Sequence, residues 1–142
     1  MPYTLTEAEG GFEIRSQGAT VVDAFLDGGR ALFSLMGDSE HLKDEERVKM
    51  VVDAKSMDSL FTEWLQELVR HSEEQNILFG ECSIASIQKV NESQYLLTGS
   101  AYGETYDGSK HTKKRTIKKI SHSQCITDEE AHTTTCTAIV KG

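Results

Sequence analysis

The chain has few of the residues and segments that define several large classes of protein. Its 142 residues include one proline and three cysteines (Cys82, Cys125 and Cys136), with no Cys-x-x-Cys pair. An odd number of widely spaced cysteines argues against a disulfide framework or a thiolate metal site, so we expect free, buried thiols. Neither a membrane-length apolar run nor a secretory signal occurs. We therefore expect a soluble cytoplasmic protein with no membrane contact.

Positive charge is also scarce, since the formal net charge is -8 and the isoelectric point is about 5.1. A general nucleic-acid-binding protein needs a basic face to neutralise phosphates. We therefore expect any RNA contact to be local or made through a partner. The sequence contains no nucleophile elbow, phosphate-cradling loop or His-Glu-x-x-His helix. The sequence therefore gives little support to an enzymatic function.

Hydrophobic periodicity predicts a single α+β domain over residues 1–142. A first helix is predicted to begin after Thr20 and to end at Gly37 in the left-handed conformation. Glycines 28 and 29 within it predict close approach to a sheet or another helix. Apolar residues at helical spacing from 57 to 69 predict a second helix. Strands are predicted at 12–15, 48–54, 77–79, 82–90, 95–102, 116–126 and 133–140. This order predicts two layers, with both helices packed on one face of a largely antiparallel sheet.

Residues 99–122 form the candidate functional region. Two histidines, His111 and His122, bracket most of a basic cluster in this acidic chain. The cluster consists of Lys110, Lys113, Lys114, Arg115, Lys118 and Lys119. A local reversal of charge predicts a contact with phosphate or with an acidic partner surface. A solvated edge strand protected by lysines explains the same residues, so both interpretations remain open at this point.

The loop within this region also allows two interpretations. Glu104, Asp107 and His111 are residue types that bind metals, but their spacing matches no standard metal-ligand pattern. A turn that uses the backbone preferences of Asp107 and Gly108 explains the same residues without a metal.

The motifs, taken in chain order, resemble the archease family, small proteins that assist the tRNA-splicing RNA ligase. The resemblance includes Ala31-Leu-Phe-Ser-Leu-Met-Gly-Asp38 and Leu60-Phe-Thr-Glu-Trp-Leu-Gln-Glu-Leu68, and is most specific in Ala101-Tyr-Gly-Glu104 and Ile117-Lys-Lys-Ile-Ser-His122. It implies an archease-like fold and a non-enzymatic accessory role in guanylylation or turnover of that ligase. The partner-binding residues that it implies are Glu104, Asp107, His111, Lys118 and His122.

The resemblance also implies a divalent, calcium-like cation held by one acidic residue near each end of the chain. Archeases typically carry His-Thr-Ala-Asp near the N-terminus, whereas this chain has Thr6-Glu-Ala-Glu and only Glu9 as a candidate ligand. Lys141 stands where the second acid is expected. A lysine removes an oxygen ligand and adds positive charge, so no cofactor is certain. The alternative function is a protein-interaction or chaperone-like module that has lost the metal-dependent ligase role.

Overall fold

The computed structural model describes residues 3–142, which form two helices and seven strands. The helices are α1 (Val21–Met36) and α2 (Met57–Gln75). The strands are β1 (Tyr3–Ala8), β2 (Gly11–Gly18), β3 (Glu46–Ala54), β4 (Ile77–Asn91), β5 (Gln94–Thr105), β6 (Lys119–Asp128) and β7 (Thr133–Lys141). No helix in this part of the chain is long and apolar enough to cross a membrane.

The strands form two antiparallel sheets, with the orders β1-β2-β7-β6 and β3-β5-β4. Each helix packs against strands of both sheets, α1 against β2 and β4 and α2 against β6 and β3. The predicted α+β class with two helices and antiparallel strands is confirmed. The division of the strands into two sheets was not predicted.

Helix α1 begins as predicted but ends differently. The Thr20 hydroxyl accepts a hydrogen bond from the Asp23 backbone N–H at 3.1 Å and caps the first turn. Gly37, however, has an extended backbone with φ of -173°, so the predicted left-handed ending is wrong. A Cβ at Gly37 would lie 2.7 Å from Leu78 Cδ1 and 2.9 Å from the Thr112 carbonyl oxygen. Close packing, rather than backbone conformation, explains this glycine.

The two glycines within α1 make the close approach that the sequence predicted. A Cβ at Gly28 would lie 2.6 Å from the Phe61 ring of α2, and one at Gly29 would lie 3.0 Å from the Cys82 Sγ of β4. Trp64 of α2 is fully buried, and its indole N–H donates to the Phe25 carbonyl of α1 at 3.0 Å. The helices therefore pack closely over the two sheets.

Three predicted strands need correction, and a further strand was missed. The predicted strand at 116–126 begins only at Lys119. Residues 113–115 bond to the end of α1, and the bonds to β7 start with the Lys118 N–H, which donates to the Lys141 carbonyl. The two predictions at 77–79 and 82–90 are one strand, β4, with a register shift between Phe79 and Glu81. The first strand, β1, was not predicted because it is an edge strand whose Leu5 is exposed.

Candidate functional site

Glu104 is the central residue of the candidate loop. It lies near the end of β5 and is only 4% exposed. Its Oε1 accepts a hydrogen bond from Lys110 Nζ at 2.7 Å and lies 3.3 Å from His111 Nε2. Its Oε2 accepts the backbone N–H of Lys43 at 2.8 Å. One carboxylate therefore joins the end of β5, the loop that follows it and the connection between α1 and β3.

These contacts also determine the charge of Glu104. The hydrogen bond from Lys110, followed by that from the Lys43 backbone, lowers the pKa of Glu104 from 4.5 to about 2. Hydrogen bonds and nearby positive charge favour the ionised carboxylate. Glu104 is therefore an anion throughout the physiological pH range.

Asp107 forms the turn that the sequence allowed. Its Oδ1 accepts hydrogen bonds from the backbone N–H and the hydroxyl of Ser109, at 3.0 and 2.7 Å. These bonds lower the pKa of the Asp107 carboxyl. The Asp107 carbonyl accepts the backbone N–H groups of Lys110 and His111. Such side-chain-to-backbone bonds are typical of aspartate in turns, and they support the turn interpretation of the loop.

His111 lies inside the loop, with a side chain that is 5% exposed. Its Nδ1 accepts the backbone N–H of Asp107 at 2.9 Å. In the neutral ring the proton is therefore on Nε2, which faces Glu104 Oε1. Tyr106 stacks beside the ring, with centroids 6.0 Å apart. The structure thus brings Glu104, Asp107 and His111 together in one hydrogen-bonded cluster.

Lys118 and His122 lie outside that cluster. The Lys118 backbone N–H donates to the Lys141 carbonyl at 2.8 Å. Its exposed side chain lines a cleft of about 410 Å³ beside Gln66 and Arg70 of α2. His122 is exposed at a register shift in β6 and has a positive φ of 54°. Left-handed backbone is uncommon for a residue with a side chain and often accompanies a functional position.

The basic cluster divides into side chains that contact other groups of the protein and side chains that form no ion pair within residues 3–142. Lys110 pairs with Glu104, and Arg115 donates to the Leu35 carbonyl at 3.0 Å while its guanidinium lies 4.8 Å from the Phe12 ring centroid. Lys113 Nζ lies 4.3 Å from the Tyr106 ring centroid. The others are exposed, and within residues 3–142 they form no ion pair: Lys114, Lys118 and Lys119. We call these three the basic surface.

Protection of an edge strand by lysines does not account for the whole basic surface. Strand β6 is an edge strand, since among the strands of residues 3–142 it pairs with β7 alone. Of the three lysines, however, only Lys119 belongs to β6, as its first residue. Lys114 precedes the strand and is held through its backbone N–H by the Met36 carbonyl at 2.9 Å. Protection of the edge therefore explains Lys119 but not Lys114, and the interpretation of the cluster as a contact surface stays a prediction.

The residues at the implied metal position do not suit a divalent cation. Glu9 is exposed in the β1–β2 turn, and Lys141 of β7 pairs with Gly11 directly after that turn. The two chain regions do meet, but one of them supplies an ammonium group instead of a carboxylate. Arg115 lines the adjoining cleft. No group of three or more potential ligands occurs among residues 3–142, whereas calcium takes six to eight oxygen ligands.

We expect no calcium binding at this position. Calorimetric titration of the protein with calcium, and separately with magnesium and manganese, should give no saturable heat, because too few oxygen ligands face too much positive charge. Glu9→Gln should give the same flat titration. Tight binding to the unaltered protein that disappears in Glu9→Gln would contradict this expectation.

Sequence reasoning missed two of the contacts that build the site. Lys43 lies 61 residues before Glu104, and no local pattern indicated that its backbone would meet this carboxylate. The contact of Lys113 with the Tyr106 ring was also missed. An aromatic residue close to a basic cluster was the available indication, because cations commonly pack over aromatic rings.

The fold and the site define a two-helix α+β protein with a structured loop closed around the Glu104 carboxylate and with an exposed basic surface. Comparisons with known proteins agree on its relatives. Residues 3–140 match the model of the Archease protein family (MTH1598/TM1083). The chain belongs to this family.

Individual relatives show the extent of the similarity. The chain is 29% identical over 109 residues to Protein archease of Pyrococcus furiosus, covering 77% of this chain and 75% of the relative. It is 25% identical over 130 residues to Protein archease of Methanopyrus kandleri, covering 92% of this chain and 91% of the relative. The solution structure of Methanobacterium thermoautotrophicum protein 1598 shares the fold, with a TM-score of 0.84, 18% identity and 99% coverage of both chains.

Proposed function

We propose that this protein is a non-catalytic accessory factor of a tRNA-splicing RNA ligase, whose guanylylation or turnover it promotes in the cytoplasm. The observation that carries the proposal is membership of the archease family across residues 3–140. The exposed basic surface of an otherwise acidic chain supports it, because such a surface suits acidic groups on a partner or phosphates close to it.

The five residues that the resemblance implied divide between two proposed roles. Lys118, His122 and Asp107 have exposed side chains, and we assign them direct contact with the ligase. Glu104 and His111 are almost fully enclosed, so they act by holding the loop in shape. Contact with RNA is restricted to phosphates that the bound ligase presents next to Lys118.

Electrostatic attraction makes complex formation dependent on salt. The protein carries a net charge of -8, so only a local positive region attracts an acidic surface. Opposite charges across an interface accelerate association, and salt screens them. We therefore expect the complex with the cognate ligase to weaken as the concentration of sodium chloride rises.

Binding and guanylylation test the proposal together. The purified ligase is mixed with this protein, the complex is measured by calorimetry, and the guanylylated fraction of the ligase is measured by intact mass spectrometry. A complex with faster guanylylation or faster release for another cycle supports the proposal. Absence of any complex, together with unchanged guanylylation and unchanged turnover, contradicts it.

The second candidate function is a protein-interaction or chaperone-like module that has lost the metal-dependent ligase role. The observation that favours it is Lys141 beside the β1–β2 turn, where the family resemblance implies an acid. A pull-down from the native lysate separates the two candidates. Capture of the ligase supports the accessory role, whereas capture of several unrelated proteins without the ligase supports the general module.

A further inference from the structure

Two of the three cysteines lie opposite each other on neighbouring strands. Cys125 of β6 is directly paired with Cys136 of β7 in the antiparallel register. Their Sγ atoms are 2.6 Å apart, although both thiols are free in the structure. Cys136 is fully buried and Cys125 is partly buried. Cys82 lies on β4, in the other sheet.

The backbone around this pair has the geometry that a cross-strand disulfide needs. The Cys125 backbone N–H donates to Asp58 Oδ1 of α2 at 2.8 Å, so it points away from Cys136. The two residues are therefore a non-hydrogen-bonded pair, in which the Cα atoms of antiparallel strands are about 4.5 Å apart. Disulfides span Cα separations of about 4.4–6.8 Å. A bond between the two sulfurs consequently requires little movement of the backbone.

We propose that Cys125 and Cys136 form a reversible disulfide when the protein meets a low-molecular-weight disulfide, and that Cys82 remains a free thiol. The two cysteines would then be a redox modification site on the four-stranded sheet. This proposal is based on the strand register and on the position of the two sulfurs, and it does not depend on the proposed role with the ligase.

Exposure determines the order of the chemical steps. Cys125 is the more accessible thiol. After losing its proton, its sulfur attacks one sulfur of the small disulfide, whose S–S bond breaks and releases a thiolate that takes up a proton. The deprotonated Cys136 sulfur then attacks the Cys125 sulfur and releases the second small thiol. Two protein thiols are oxidised, and one small disulfide is reduced to two thiols.

The second step is intramolecular and therefore favoured, although the thiol that performs it is not reactive alone. The hydrogen bond that Cys136 donates to Cys125, together with burial, raises the pKa of the Cys136 thiol. Independent attack by Cys136 on a reagent in solution is therefore slow. Held beside the mixed disulfide on Cys125, the same thiol has a high effective concentration.

The bond would fix an edge of the protein that is otherwise held by hydrogen bonds. β6 is the last strand of its sheet, and its pairing with β7 is interrupted between Ser121 and Gln124. A link between Cys125 and Cys136 would close a short loop in the unfolded chain and so reduce its conformational freedom. The oxidised protein should therefore resist thermal unfolding better than the reduced protein.

The test uses the folded, full-length protein and oxidised glutathione as the probe. After incubation, the protein is denatured, alkylated and analysed by intact and peptide mass spectrometry. We expect one alkylated thiol instead of three, and a linked peptide pair containing Cys125 and Cys136. The unfolding midpoint should rise by about 5–10 °C, and dithiothreitol should reverse both changes.

Single substitutions provide the matched controls. Cys82→Ser should keep the linked peptides and the rise in midpoint, whereas Cys125→Ser and Cys136→Ser should lose both. Three alkylated thiols in the folded wild-type protein at every glutathione concentration would overturn the proposal. A persistent glutathione adduct on Cys125 would also overturn it, because it would show that Cys136 does not complete the exchange.

Discussion

Replacing Glu104 with glutamine is expected to release the 107–111 loop while both helices remain folded. The carboxylate accepts three donors, from Lys43, Lys110 and His111. A glutamine amide has one oxygen and one NH2 group, so in either orientation a donor faces another donor. Since the amide oxygen can satisfy only one of the two sides, hydrogen exchange is expected to speed up by about tenfold or more at the Lys43 amide or at the Lys110 and His111 amides of the loop. Exchange measured by NMR checks this result.

Acidification should remove the stabilising contribution of Glu104 from the wild-type protein. The folded pKa of Glu104, at about 2, lies below its ordinary value of 4.5. The ionised carboxylate therefore contributes stability that is complete above the unfolded pKa and is lost as the pH falls through the folded pKa. The difference in unfolding midpoint between wild type and Glu104→Gln should be largest above pH 4.5 and shrink towards pH 2.

A glutamate at the other end of the same hairpin provides the control. Glu92 lies in the turn between β4 and β5, and its side chain is 99% exposed. Glu92→Gln should leave exchange at the Lys43 amide unchanged, because it alters no buried contact. Equal exchange at the Lys43, Lys110 and His111 amides in wild type and Glu104→Gln would show that the carboxylate does not hold the loop.

Reversing the charge of the basic surface should remove most of the protein's affinity for the proposed ligase partner. In the triple variant Lys114→Glu, Lys118→Glu and Lys119→Glu, acidic side chains would face the acidic or phosphate groups of the proposed partner. Like charges across an interface oppose association. We expect affinity for the ligase to fall by about tenfold to a hundredfold, measured by calorimetry, while the far-ultraviolet circular dichroism spectrum stays the same.

The matched control makes the same change of charge elsewhere on the protein. Lys49, Lys55 and Lys89 are exposed on other parts of the chain, and changing all three to glutamate lowers the net charge by the same amount. This control should retain affinity close to wild type at moderate salt. An equal loss in both triple variants would point to net charge alone and would contradict a localised contact surface.

Prediction from sequence succeeded where burial follows a regular period. The helical spacing of Leu60, Trp64 and Leu68 predicted α2, and all three side chains are fully buried. Alternation predicted β3, in which Val48, Met50 and Val52 are buried between exposed neighbours. These patterns reflect one-sided burial of a helix or strand, which the sequence records directly.

Prediction failed where contacts with distant residues decide the local structure. Ile117 and Ile120 are both buried, yet residues three apart point to opposite faces of a strand. That spacing was a sign that a continuous strand from 116 was wrong. The hydrogen bonds that hold residues 114–115 to the end of α1 have no local pattern, because they join segments about 80 residues apart.

Only part of the candidate site could be predicted, because some of its contacts also join distant segments of the chain. The turn at Asp107 follows from local chemistry, since an aspartate side chain bonds to backbone groups two residues later. The burial of Glu104 and His111 depends on the connection between α1 and β3 and could not be inferred from the loop alone. The partner-binding roles of Glu104, Asp107, His111, Lys118 and His122 stay predictions.

Multiple-turnover ligation is the measurement that tests the central claim most directly. The cognate ligase, at a concentration far below that of its RNA substrate, is assayed with and without this protein, and ligated RNA is counted per ligase molecule. The proposed accessory role predicts several ligation cycles per ligase with wild-type protein, and few with the basic-surface triple variant. An identical number of cycles with wild-type protein and with no protein added would contradict it.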